Sequence, residues 1–238
     1  TLKIEFTSLV MNHFELDNLT ANLAMTAGAK INLKYNVPRA ILGTIQNKFE
    51  RVIGCDGPNS IVRKSLDLLE PDYRLAIQGF IPKQNHSNFV EAWPVKNGFI
   101  WKIPRGTETE YGIIAGPKEA KKLFEDFLAK NKIWLDKISS AVVPQAFLIP
   151  SNQVITLCGD AAGLTKPWSG GGVVWGLIAA DLLLKNFPDF LKYQKEAKRF
   201  FLPKIIFSKI ATKIVYFFGL NIPWLFPKNV RIEGDFLI

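Results

Sequence analysis

Two stretches of this chain bring together residue types that can hold a ligand. The first is Leu157-Cys158-Gly159-Asp160-Ala161-Ala162-Gly163, followed by Pro167 and by Gly170-Gly171-Gly172-Val173. An acid at the tip of a strand can accept hydrogen bonds from sugar hydroxyls, and alanine and glycine neighbours let a ligand approach the backbone. A glycine triplet that opens a helix leaves unpaired N–H groups and the positive end of the helix dipole facing an anion or an electron-rich ring. Pro167 stiffens the loop before it. A tight turn into a buried helix would need neither the acid nor the paired small residues, so the constellation reads as a binding site.

The second stretch runs from Arg51 through Asp56-Gly57-Pro58-Asn59-Ser60 to Arg63. A strand ends in Asp-Gly, a common turn dipeptide; Asn59 or Ser60 can cap the helix that follows, and Arg63 can answer a phosphate or Asp56. A third feature is Gly98-Phe99-Ile100-Trp101-Lys102-Ile103-Pro104. On a strand, Phe99, Trp101 and Ile103 face one side. Such an apolar stripe suits an isoprenoid chain, and equally a sheet packed on its own core.

These residues need elements to position them. Residues 1–11 read as strand and 14–27 as a helix ending at Gly28. Strand-like segments follow at Lys30–Tyr35, Ala40–Gln46 and Phe49–Cys55, then a short helix from Ile61 to Asp67. From Pro71 to Pro150 the texture is β-rich, interrupted by a lysine-rich helix around Lys118–Asn131. A strand at Val154–Cys158 feeds the glycine-rich loop and a helix over Val173–Leu184, and the chain from Phe187 is largely helical and basic. The fold class expected is mixed α/β: a nucleotide-binding layer built from 1–70 and 151–186, a β-rich module over 71–150 and a helical segment over 187–238.

Composition narrows the class. With 48% hydrophobic and 21% charged residues the chain is ordered rather than disordered. Its net charge of +9 favours anionic partners such as nucleic acid, acidic membrane surfaces or phosphate-bearing molecules. No stacking platform or basic repeat supports nucleic acid. Cys55 and Cys158 have no metal-ligand spacing and no company for a disulfide framework, so a reducing compartment and small core roles are expected, and no metal. The first residues lack the apolar core of a secretory signal. The late apolar run Ile205–Phe226 is broken by Lys209, Lys213 and Pro223, which argues against a membrane span. Lys204, Ser208, Lys209, Thr212, Lys213 and Tyr216 recur at helical spacing against an apolar remainder. That stripe is expected either on an anionic membrane surface or in solvent, on a helix packed against the nucleotide-binding layer.

The Asp-Gly and Gly-Asp motifs, about a hundred residues apart, resemble the paired flavin-contact motifs of aromatic-ring hydroxylases, prenyl reductases and flavin-dependent halogenases. The Phe99–Pro104 segment resembles the aromatic-x-Trp-x-Phe-Pro element of geranylgeranyl reductases, with Ile103 in place of the usual Phe and Lys96 where a proline often stands. The resemblance covers about Leu9 to Leu184. It implies FAD as cofactor, held at Gly159, Asp160, Ala161, Gly163 and Pro167 along the ribityl and pyrophosphate part, and at Gly171, Gly172 and Val173 beside the ring. Asp56 and Gly57 are implied as a brace near the pyrophosphate, and Val37 as a backbone contact to adenine. His13, Leu16 and Asp17 fall where relatives carry an arginine followed three residues later by Phe-Asp. Phe99, Trp101 and Ile103 are implied as a prenyl cavity wall.

The family also implies an FAD-dependent reductase of isoprenoid double bonds in lipid precursors, in the cytoplasm or peripheral to a membrane. A flavin-dependent aromatic monooxygenase and a catalytically silent flavin-fold module are the alternatives. No side-chain acid or base stands out as catalytic. The main departure is that no G-x-G-x-x-G follows any strand in the 238 residues. The expected fold is therefore an incomplete FAD-binding three-layer domain with an inserted antiparallel β-rich substrate domain. Its pyrophosphate seat would come from a missing N-terminal segment or a partner chain.

Overall fold

In the computed structural model, residues 13–38, 48–87 and 89–222 are described. The chain divides into two compact units, Thr1–Pro38 with Phe226–Ile238, and Arg39–Leu225. In the first, helix α1, His13–Thr26, is followed by irregular backbone. Gly28 closes α1 with a φ of 94° and an N–H donated to the Met25 carbonyl at 2.9 Å, the left-handed stop that suits glycine. The strand expected over Lys30–Tyr35 does not form. Leu33-Lys34 is a turn, and Lys34 at a φ of 60° breaks the extended backbone. The strands expected at 1–11 and Ala40–Gln46 lie outside the described residues.

In the second unit the order is β1 (Val52–Gly54), α2 (Ile61–Ser65), β2 (Asp72–Ile81), β3 (Glu91–Val95), β4 (Gly98–Arg105), β5 (Glu108–Ala115), α3 (Ala120–Asn131), β6 (Asp136–Gln145), β7 (Ile155–Leu157), α4 (Val173–Asn186) and α5 (Phe190–Asn221). A short 3-10 turn, Gly159–Ala162, lies between β7 and α4. Strands β1 and β7 pair in parallel with Gly54 opposite Leu157. A Cβ at Gly54 would stand 2.7 Å from Leu157 Cδ2 and 2.8 Å from Val62 Cβ, so glycine there lets α2 close onto the strand pair.

The other strands form an antiparallel sheet in the order β3-β4-β5-β2-β6. Alternation divides its faces. Ile100, Tyr111, Ile113 and Ala115 are buried with Ala120 and Phe124 of α3, and Leu75, Ile77 and Trp93 pack against them. Each large side chain buried there contributes roughly 1.5–3 kcal/mol of transfer free energy. Phe99, Trp101 and Ile103 take the opposite face, directly across from Ile114, Gly112 and Glu110 of β5.

Helices α4 and α5 bury Trp175, Ala179 and Leu183 against Phe190, Tyr193, Ala197 and Phe201, with the Trp175 and Phe201 rings 5.3 Å apart. The Tyr193 hydroxyl donates to the Leu157 carbonyl at 3.1 Å and ties α5 to β7. Helix α5 continues past Pro203. Its polar side was expected in solvent or on a membrane, and the structure divides it: Lys213 is exposed, and Lys204 and Lys209 are half-buried. Ser208 is buried, and Lys209, Thr212, Lys213, Tyr216 and Phe217 line a cavity with Arg74, whereas Ile206, Phe207, Ile210 and Ile214 are exposed elsewhere on the helix. Among the described residues no helix is long and apolar enough to cross a membrane.

Candidate functional site

The site is built where β7 ends. Gly159, at a φ of 63°, turns the chain into the 3-10 turn, and Gly163, at 75°, ends it. The Gly163 N–H is donated to the Asp160 carbonyl at 2.9 Å, and a Cβ at Gly163 would come 2.9 Å from Ala146. Ala161 is buried beneath the turn. Downstream, Lys166 N–H to Gly171 O at 3.0 Å and Gly170 N–H to Lys166 O at 2.8 Å fold the loop back on itself, and Pro167 is buried within it. The loop delivers Gly172 as the N-cap of α4, with no side chain capping the helix start at Val173.

Here the two halves of the sequence motif meet. A Cβ on Gly172 would stand 2.7 Å from Asp160 Oδ1. Gly172 has a φ of −104°, so glycine is required for space and not for backbone freedom. No hydrogen bond from the described residues reaches the Asp160 carboxylate, and burial raises its carboxyl above the ordinary range. A half-buried acid with no internal donor, beside a helix N-terminus with free N–H groups, can accept from a ligand hydroxyl while the helix start faces a polar ring edge.

The aromatic strand is on the same side. Gly170, at a φ of 75°, leaves room for Ile114 Cδ1, which a Cβ would approach to 2.3 Å. Ile114 pairs with Phe99 across β5 and β4, so the face carrying Phe99, Trp101 and Ile103 is the one that meets the glycine-rich loop. The Trp101 ring lies over Gly112, where a Cβ would meet ring atoms at 2.2 Å. Its Nε1 donates to Glu110 Oε1 at 2.7 Å, and Glu110 is buried and ion-paired with Arg105 at 2.5 Å. The Phe99 and Trp101 rings are 5.9 Å apart.

No family model matches the chain. It is 26% identical over 194 residues to an uncharacterized protein of Methanosarcina barkeri, covering 74% of this chain and 50% of that protein. It is 32% identical over 106 residues to the digeranylgeranylglycerophospholipid reductase of Methanococcus vannielii, covering 37% of this chain and 27% of that enzyme. The chain thus spans half or less of the curated relatives it matches. Among solved structures, a geranylgeranyl bacteriochlorophyll reductase-like protein from Thermoplasma acidophilum superposes with a TM-score of 0.69 at 20% identity, over 90% of this chain and 67% of that one. The chain has the fold of a geranylgeranyl reductase-like flavoprotein. A flavin-dependent halogenase from Brevundimonas shares the fold more distantly, with a TM-score of 0.54 at 14% identity over 72% of this chain and 38% of that one.

Within this geranylgeranyl reductase-like fold the remaining expected residues are placed as follows. Both oxygens of Asp56 are used locally. Oδ1 accepts from the Ser60 hydroxyl at 2.6 Å, and Oδ2 from the Ile61 and Val62 N–H groups at 2.6 and 3.2 Å. Ser60 caps α2 through the Arg63 N–H. Gly57 sits at a φ of 78° with open space around it. Arg63 was expected to answer a phosphate or Asp56, and the structure corrects this. It is fully buried and donates to the carbonyls of Ala161 and Pro58, to Glu70 and to the Tyr73 hydroxyl. Because it spans from α2 to the Gly159–Ala162 turn, it holds the two motifs together.

Cys158 is buried as expected, whereas Cys55 is exposed beyond the end of β1 rather than in the core. Val37 and His13 lie in the first compact unit, Val37 half-buried in irregular backbone and His13 exposed at the start of α1. Sequence reading missed Arg74. This arginine of β2 is buried and donates to the Pro167 and Trp168 carbonyls at 3.2 and 3.3 Å, anchoring the glycine-rich loop. Its signal was a long cation among the alternating residues of β2.

Proposed function

We propose that the chain is the core of an FAD-dependent reductase that saturates isoprenoid double bonds of lipid precursors. The observation that carries this reading is the Asp160 carboxylate, with no donor among the described residues, held against Gly172 at the start of α4. A loop that leaves no room for a Cβ at Gly172, presents an acceptor at Asp160 and runs into an uncapped helix start fits the hydroxyl-bearing chain and ring edge of a flavin. Asp160, with Gly159, Ala161 and Gly163, would hold the ribityl and pyrophosphate part; Gly171, Gly172 and Val173 would meet the ring. Asp56 and Gly57 would brace this end through α2, with Val37 on the adenine. The similarity to a digeranylgeranylglycerophospholipid reductase and the apolar stripe of Phe99, Trp101 and Ile103 favour a prenyl substrate.

Reduced FAD, when bound, supplies a hydride to such a double bond, and a proton completes the saturation. The protein's part is to orient the two partners and exclude water: Trp101, fixed by Glu110, forms the wall, and Arg74 and Gln145 fix the loop through the Pro167 carbonyl. The 238 residues carry no G-x-G-x-x-G, so in this reading the pyrophosphate seat would be supplied by a further segment bearing that motif. The test is anaerobic incubation, with that segment supplied, of reduced FAD and a digeranylgeranyl glycerophospholipid, read by mass spectrometry. Gain of two hydrogens per double bond without oxygen supports the reductase. Product formation that requires oxygen and adds a hydroxyl to an aromatic compound instead would assign the chain to the monooxygenases.

A further inference from the structure

We infer that the cavity between β2, the turn at Asn97 and the distal half of α5 binds a phosphate group, that of a prenyl phospholipid if the reductase reading above holds. The cavity measures about 430 Å³, and its lining carries four cations, Arg74, Lys96, Lys209 and Lys213, and no carboxylate. Arg74 sets its potential. Its guanidinium is buried and donates to four backbone carbonyls, those of Pro167, Trp168, Asn97 and Ile114, at 2.9–3.3 Å. Carbonyls satisfy its N–H groups, and no carboxylate among the described residues pairs with it; a buried cation without a counter-ion is costly. Tyr216 sits against it, and burial raises the phenol, so its hydroxyl is a donor at neutral pH.

The rim acids do not neutralise the cavity. Lys209 reaches Asp72 at 3.2 Å, and Asp72 is 83% exposed; Lys96 pairs with Glu119 at 2.8 Å in solvent. Lys213, at the mouth, has no ion-pair or hydrogen-bond partner among the described residues, and Thr212 offers a hydroxyl. Convergent ammonium and hydroxyl donors around a buried positive charge are the chemistry that recognises a phosphate. The exposed Ile206, Phe207, Ile210 and Ile214 of α5, with Phe217 at the cavity itself, match a headgroup arriving with apolar chains attached. The same loop carbonyls that hold Arg74 belong to the glycine-rich segment, so a headgroup seated here would tether its chains beside that loop.

Calorimetric titration of the full chain with three probes tests this: inorganic phosphate, dihexanoyl phosphatidic acid and dihexanoylglycerol. Phosphatidic acid is expected to bind tightest and the phosphate-free glyceride weakest, and Lys209→Gln/Lys213→Gln is expected to weaken phosphatidic acid about tenfold. Inorganic phosphate binding as tightly as phosphatidic acid, with the same sensitivity to the double variant, would support the site and assign it to free phosphate. Glyceride binding as tightly as phosphatidic acid, or a double variant that binds unchanged, overturns it. Should the double variant fail to fold, Lys213→Ala removes an unpaired ammonium alone and must still weaken phosphatidic acid. The titration needs no flavin. Loss of phosphate binding with FAD binding intact sinks this inference only, and the converse sinks only the flavoprotein reading.

Discussion

Burial holds the Asp160 carboxyl above its ordinary range in the folded chain, with desolvation as the cause. Between the unfolded and the raised folded value the folded state therefore binds more protons. The protonated acid's contribution to stability is fully present below the ordinary carboxylate range and is lost as pH rises through the raised value. Asp160→Asn should thus raise the melting temperature of the flavin-free chain at neutral pH, and the gain should vanish as pH falls into the ordinary carboxylate range. A residue kept for structure would behave oppositely, so a melting temperature that drops at neutral pH would contradict a binding role. Gly172 is coupled to it. Since Gly172 already has helical φ, Gly172→Ala strains no backbone and acts only by driving its Cβ into Asp160 Oδ1. FAD affinity should fall, measured by fluorescence titration, while melting temperature changes little.

At the scale of elements, β4 presents one face to α3 and the other to the glycine-rich loop, which decides what Trp101 does. The core side is held by Ile100; Trp101 is half-buried on the far side, pinned by Glu110. Trp101→Ala should therefore cost less than the roughly 3–5 kcal/mol of a core aromatic truncation, leave FAD binding intact and lower prenyl turnover. A stability loss in the full core range by chemical denaturation would make Trp101 a packing residue instead. Much of this architecture was legible in sequence. The glycine triplet, the Gly-Asp turn and the alternation of Phe99, Trp101 and Ile103 gave β7, α4 and β4 within a few residues, because strand and helix periods and glycine stops are local signals. What was not legible depended on partners far along the chain. Arg63 finds the Ala161 carbonyl and Arg74 the Pro167 carbonyl nearly a hundred positions away, and Lys209 of α5 reaches Asp72 of β2 across a still longer stretch of chain. A helical stripe shows periodicity but not which side is covered.

Across the whole molecule, the candidate turn follows the second strand of a parallel pair, β1 with β7, among the described residues. Two strands alone form a marginal sheet. The 238 residues contain no G-x-G-x-x-G. On its own the chain is expected to bind FAD weakly, and a βαβ segment bearing that motif, added in trans, should restore a yellow complex. Stoichiometric FAD on the isolated chain would refute this division of the site. The most direct measurement is an FAD fluorescence titration of the chain together with such a segment, in wild-type and Asp160→Ala forms. Loss of a charge-assisted hydrogen bond, about 1.5–3 kcal/mol, predicts an affinity roughly 10- to 150-fold weaker in the variant. Equal FAD affinity in the two forms would contradict the assignment of the Gly159–Gly172 turn as the flavin site.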